Sequence, residues 1–322
     1  MKFILIGFFL RFLVAVWNGF FGPSFGADGD ALMFHDVALY VSNTGVFEAK
    51  YNIGWVYSIF LGSVYYLTLN SIFIGSLLSC FAWLISAIVL NKSIQLLGIH
   101  QKYRNRALFF YAIIPSSILF TSVTLREVYQ LLFVNTLIYS SLMILIRKNR
   151  RYWFLLSISA LFLGLLHFGL VLYALLVAVL TFYFTSIRQE KILSLELIIF
   201  YLPALVILSY GATNLFTSIV PFDFSDGLAA AVESYQMGHN ESRAMYVYKP
   251  EINGLFDLFL FMPVSLLQYL LEPMPWRIAT GLDLALFVEN IFRCFFIFYA
   301  VRAFFTVKKY LRTPLVFLIL TF

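Results

Sequence analysis

Charge is what this chain has least of. Only 12% of its 322 residues are Asp, Glu, Lys or Arg, about half the share carried by soluble domains. Hydrophobic residues make up 62% and aromatic residues 19%, which excludes an ordinary soluble domain. Cysteine is nearly absent too. Cys80 and Cys294 both lie inside apolar runs, so packing is expected of them, not a disulfide framework or a thiolate metal site. The chain has no single basic patch either. Its net charge of +6 is dispersed, and nucleic acid is not an expected partner.

Long apolar runs are abundant. Stretches 71–90, 128–146 and 152–187 approach or exceed the roughly 20 residues that cross a hydrocarbon core. The reading is an all-α, polytopic integral membrane protein whose main partner is the lipid bilayer. The opening FILIGFFLRFLVAVWNGFFG reads as an uncleaved first span, because Arg11 interrupts its apolar centre. Of the 22 basic residues, 14 fall in four short clusters: Lys92 to Arg106, Arg147 to Arg151, Arg188 with Lys191, and Arg302 to Arg312. Such loops stay cytoplasmic. All of the 16 acidic residues except Glu190, Glu196 and Glu289 then lie in the opposite loops.

This charge placement forces a parity argument. The loop 22–52 lies outside and the cluster 92–106 inside, so only one of the stretches 53–69 and 71–91 crosses. The Trp- and Tyr-rich 53–69 is the one expected to lie in the interface. The same conflict between the outer loop 213–254 and the last cluster demotes 255–271, which contains Asp257 and Pro263. The expectation is a single transmembrane domain over 1–322 with about eight spans: 3–21, 71–91, 107–121, 128–146, 152–166, 168–187, 192–212 and 284–301. The closing TPLVFLILTF is too short to cross, and the expectation is a chain that continues beyond it.

The outer ends collect the polar residues that chemistry requires. In GADGDALMFHDVA, Asp28 and Asp30 stand two apart. As a loop pair they chelate a divalent cation or share a proton, leaving one a base; Asp30 as a helix N-cap is the simpler alternative. His35 and Asp36 are adjacent, so at most one faces the same side as Asp30. Arg126-Glu127 opens the 128–146 helix. Arg126 grips a phosphate or snorkels to headgroups, and Glu127 works in a site or merely suits the positive helix end. His167, flanked by Gly164 and Gly169, is an acid, a base or a hydrogen-bonded turn residue. Arg243 in the large loop and Arg277 in LLEPMPWRI are further candidate anion ligands. Glu289 stands one helical turn before Arg293, a suitable partner. NES at 240–242 fits a glycosylation acceptor.

The acidic stretch GADGDALMFHDVALYVSNTGVF after an outward first helix, and IIPSSILFTSVTLREVYQLLFVNTLIY leading into RKNRRYWFLLSISALFLGLLH, together resemble the GT-C membrane glycosyltransferases over about residues 1–190. The resemblance implies a GT-C-like helical bundle with interfacial helices on its outer face. It implies transfer of a sugar from a polyprenyl-phosphate-linked donor to a saccharide acceptor, in surface polysaccharide or glycoconjugate assembly. The membrane is then a bacterial inner membrane, with the N-terminus cytoplasmic. Asp28 or Asp30 takes the part of base or metal ligand, with Mg or Mn as the cation where one is used. Glu127 supports it, and Arg126 and Arg277 hold the lipid phosphate. Arg126 beside Glu127, with the sizeable 213–254 loop, is also similar to the O-antigen and exopolysaccharide polymerases, which take lipid-linked oligosaccharides as donor and acceptor. A transporter or flippase of lipid-linked saccharide is the rival from another class. It needs ionisable residues along a mid-membrane path, where this chain has only Arg11, Glu289 and Arg293. A membrane scaffold needs none of Asp28, Asp30 or Arg126.

Overall fold

A computed structural model describes residues 1–22, 28–45, 55–167 and 169–189, then 257–306 with gaps before 271, and Pro314 and Leu318. The described residues are helical, with no strand among them. The chain divides into two compact units, 1–213 with 307–322, and 214–306.

The first unit holds nine described helices: α1 Lys2–Phe20, α2 Asp28–Thr44, α3 Trp55–Leu67, α4 Ile72–Leu96, α5 Gln101–Ile113, α6 Pro115–Phe120, α7 Glu127–Arg147, α8 Tyr152–Leu166 and α9 Gly169–Gln189. Of these, α1, α4 and α7 are long and apolar enough to cross a membrane. Helix α1 shows which solvent it suits. It buries Gly7, Arg11 and Asn18 and turns Leu5, Phe9, Leu13, Trp17 and Phe20 outward. Polar groups inside and an apolar stripe outside at helical spacing is the pattern lipid demands and water penalises.

Helix α4 packs on α1 and α7, and α7 in turn packs on α8 and α9. Small residues make that closeness possible. Gly75, Ser76, Ser79, Cys80, Ala82, Ser86 and Ala87 are the buried residues of α4's first two-thirds, with Trp83. Such side chains let helix backbones approach where no hydrophobic effect draws them together. Polar groups add links: Asn18 donates to Ser76 Oγ (3.0 Å), and Asn135 donates to Ser86 Oγ (2.8 Å) and Tyr111 Oη (3.1 Å). Ser71 caps α4 by accepting from the Phe73 amide at 3.2 Å.

Two sequence expectations are corrected. The stretch 107–121 is not one span: Pro115 lacks the amide a continuous helix needs, and the chain breaks into α5 and α6 at Ile114. Arg11 fastens the break. Its guanidinium is fully buried and donates to Thr121 Oγ1 (2.7 Å), Ser117 Oγ (2.9 Å) and the carbonyls of Gly7 (3.0 Å) and Ala112 (2.9 Å). Its Cζ lies 3.7 Å from the Trp83 ring centroid. The second correction concerns 22–52, which is not simply a loop. Residues 28–44 form α2, whose buried Ala31, Phe34, Ala38 and Val41 recur at helical spacing.

Helix α3 covers most of 53–69. Its 13 residues span only about 20 Å. It packs on α2, where Gly62 leaves room for Val41 and the Ala38 carbonyl.

In the second unit, α10 (Gly281–Thr306) starts with a reciprocal cap. The Thr280 amide donates to Asp283 Oδ2 (2.9 Å), and the Asp283 amide donates to Thr280 Oγ1 (3.2 Å). Glu289 pairs with Arg293 at 3.7 Å, four residues on, as their spacing predicts. The span expected over 192–212 and the loop 213–254 lie outside the described residues, as does most of 255–271.

Candidate functional site

Alternating helix directions bring the end of α1, the starts of α2, α4 and α7, and the end of α8 to one end of the first unit. Contacts fix this: Gly19 lies against Phe73, Gly75 against Thr124, and Arg126 donates to the Leu166 carbonyl at 3.2 Å. The opposite end carries Lys92, Lys102, Arg104, Arg106 and Arg147 to Arg151. Among the described residues of the first unit, Asp30 and Glu127 thus lie toward one end and these basic residues toward the other.

At the acidic end the 121–125 turn is almost wholly buried, and Thr124 Oγ1 donates to the Ala31 carbonyl at 2.8 Å. That bond docks the first turn of α2 onto the start of α7. It sets Asp30, Arg126 and Glu127 in one neighbourhood, where Glu127 feels the charges of both. Arg126 is the N-cap residue of α7, and its Nε lies 3.8 Å from Glu127 Oε1. The arginine side chain is 14% exposed and the glutamate side chain 45%. Phe34 of α2 lies under the guanidinium, 5.8 Å from ring centroid to Cζ. Glu127 is the first residue of this 21-residue helix. Arg126, held by a carbonyl that the end of α8 leaves free, keeps donors for a further anion.

The remaining candidates divide. His167, in the α8–α9 joint, is exposed and near enough to Arg126 to feel its charge. Its Nδ1 accepts from the Gly169 amide at 3.1 Å, the hydrogen-bonded turn alternative. Burial, then Arg126, holds its pKa below the usual 6.5. His35 does not join this cluster. It turns into the bundle, is buried, and its Nδ1 lies 2.9 Å from Tyr65 Oη. Burial lowers its pKa against the opposing pull of Asp36. Asp36 faces outward, exposed. Arg277, in the second unit, is ion-paired with Glu272 at 2.8 Å. Arg243 lies outside the described residues.

Asp28 and Asp30 lie at the start of α2. No group of three His, Cys, Asp or Glu suited to a metal ion occurs among the described residues. Sequence reasoning missed Thr124, Phe34 and the Leu166 carbonyl. Only the apolar spacing of α2 carried a signal for Phe34.

No family model, no curated protein and no solved structure matches this chain.

Proposed function

We propose that this protein is an integral membrane glycosyltransferase that works at its acidic end, transferring a sugar from a polyprenyl-phosphate-linked donor to a saccharide hydroxyl. One observation carries the reading: Arg126, Glu127 and Asp30 meet at the end of the bundle opposite the basic loops, beside the short apolar helix α3. By the positive-inside rule that end faces away from the cytoplasm. A polyprenyl chain needs apolar surface at the membrane boundary, which α3 offers through exposed Phe60, Tyr66 and Leu67. The phosphate needs a cation, supplied by Arg126. In the reaction the acceptor oxygen bonds to the anomeric carbon as the bond from that carbon to the phosphate oxygen breaks. The polyprenyl phosphate leaves with the electron pair, and the hydroxyl proton passes to a carboxylate. Asp30, or Asp28 beside it, is the base, and Glu127 orders Arg126. Where a divalent cation takes part, the carboxylates of the α2 start are its ligands.

The test uses the full chain in lipid with Asp28→Ala, Asp30→Ala, Glu127→Ala and Arg126→Ala, each checked for insertion and folding. Turnover of a panel of polyprenyl-phosphate-linked sugars is measured. Loss of at least 100-fold on removing a base, in Asp28→Ala or Asp30→Ala, supports the reading. Failure of Arg126→Ala alone, with turnover of diphosphate-linked oligosaccharides in its parent, points to the polymerase chemistry. Wild-type turnover in all four sinks both.

A further inference from the structure

From residue 51 to residue 189 the chain has a single carboxylate, Glu127, which lies at the acidic end. The basic end of the first unit therefore carries its charge with no acidic neighbour from that stretch. Helix α5 opens with Lys102 and Arg104, and α8 has Arg151 as its N-cap residue; neither has an acidic residue in its first turn. Cations thus stand at two positive helix ends, where an anion is favoured and a further cation is not. The α7–α8 joint fixes the backbone that carries Arg147, Lys148 and Arg151. The Lys148 amide donates to the Ile144 carbonyl (3.1 Å), and the Asn149 amide donates to the Met143 carbonyl (3.4 Å). Asn149 Oδ1 accepts from the Arg151 amide at 3.1 Å. Both helix starts rest on one apolar base. Leu96 and Leu97 before α5, and Tyr152 and Trp153 of α8, pack against the same buried cluster. Lys102, Arg106, Arg147, Lys148 and Arg151 are exposed and Arg104 is half-buried. None of the six is ion-paired among the described residues. Exposed rings stand among them: Tyr103 is 60% exposed and Phe154 74%, and Arg106 Cζ lies 6.0 Å from the Tyr103 ring centroid. Helices α4 and α7, long and apolar enough to span, end here, so these cations and rings share the depth of lipid headgroups. A soluble acidic partner would answer the charge but leave Phe154 in water. We propose that this end is a binding surface for anionic phospholipid, whose headgroup phosphates are held by Lys102, Arg104 and Arg106 of α5 and by Arg147, Lys148 and Arg151 of the α7–α8 joint. Basic clusters of this size beside membrane spans attract anionic lipid. The surface is independent of the glycosyl-transfer reading.

Lipid retention tests this with the full chain in nanodiscs of equimolar phosphatidylcholine and phosphatidylglycerol. With matched acyl chains, only the headgroup decides which lipids stay bound when the protein is released into native mass spectrometry. The expected result is severalfold retention of phosphatidylglycerol over phosphatidylcholine. Arg147→Gln, Lys148→Gln and Arg151→Gln combined bring that ratio toward unity, each lost cation being worth up to about fivefold. Arg147→Lys with Arg151→Lys keeps it. Equal retention of the two lipids by the wild type overturns the proposal. So does a ratio moved neither by those three substitutions nor by Lys102→Gln, Arg104→Gln and Arg106→Gln combined. Melting of the wild type in short-chain phosphatidylcholine micelles gives a readout that no folding defect can blur. Added phosphatidylglycerol raises the midpoint, the rise shrinks as salt screens it, and inorganic phosphate has no such effect. A rise indifferent to salt, or one that inorganic phosphate reproduces, overturns the lipid assignment. Tighter binding of an acidic peptide than of phosphatidylglycerol overturns it as well.

Discussion

Arg11 is the residue whose surroundings most constrain the fold. A guanidinium offers five N–H groups in a fixed plane, and here the four bonds go to neutral oxygens on three segments, with a tryptophan face beneath. Arg11→Met leaves the Ala112 carbonyl without this donor, a loss of about 1–3 kcal/mol, and the melting midpoint in detergent falls by several degrees. Arg11→Lys fails to restore it, because one ammonium cannot reach the same partners; recovery with lysine would contradict the geometry. His35 gives a pH signature. Its folded-state pKa lies below the usual 6.5, so the unfolded chain binds its proton first. Stability is complete above that value and declines as pH falls from it toward the folded-state pKa. Melting curves between pH 8 and 5 display this decline, and His35→Gln flattens part of it; a profile identical to wild type would remove His35 as its source. His167, shifted the same way, supplies a further part.

At the scale of elements, close approach between helices is set by single glycines. A Cβ at Gly62 would stand 2.8 Å from the Ala38 carbonyl, backbone that cannot swing away, and 2.7 Å from Val41. Gly62→Ala therefore pries α3 from α2, at about 1–3 kcal/mol, read as a lower midpoint. Gly29→Ala, with nothing within 4 Å of the added carbon, leaves stability equal or slightly higher. Equal effects at the two positions would contradict the packing. Sequence pattern made some elements legible. A long uncharged run marked α4. The α5–α6 break was hidden because hydropathy averages over Pro115 and ignores its missing amide. Helix α2 was hidden because its carboxylates drew attention from the spacing of Ala31, Phe34, Ala38 and Val41. In the site, Arg126 and Glu127 were legible as neighbours in the chain. Thr124 on the Ala31 carbonyl and Arg126 on the Leu166 carbonyl were not, since a backbone acceptor leaves no mark in a sequence.

At the largest scale, segregation of charge between the two ends of the first unit predicts its orientation. In a background with Cys80→Ser and Cys294→Ser, Asn149→Cys at the basic end reacts with a membrane-impermeant maleimide only after the cytoplasmic side is opened. Asn70→Cys at the acidic end reacts from outside in intact cells; the reverse pattern overturns the orientation. Hydropathy and charge are legible before any packing is known, because both are sums over many residues. The docking of α2 and α3 was beyond them, because it depends on which surfaces meet. Arg11 also has a consequence for synthesis. The first helix leaves the ribosome with an arginine at its centre, which costs about 2.5–3.5 kcal/mol at mid-bilayer. Its farthest hydrogen-bond partner, Thr121, is made 110 residues later. Were α1 to insert by itself, its leucines and phenylalanines alone would have to hold it there until α6 is made.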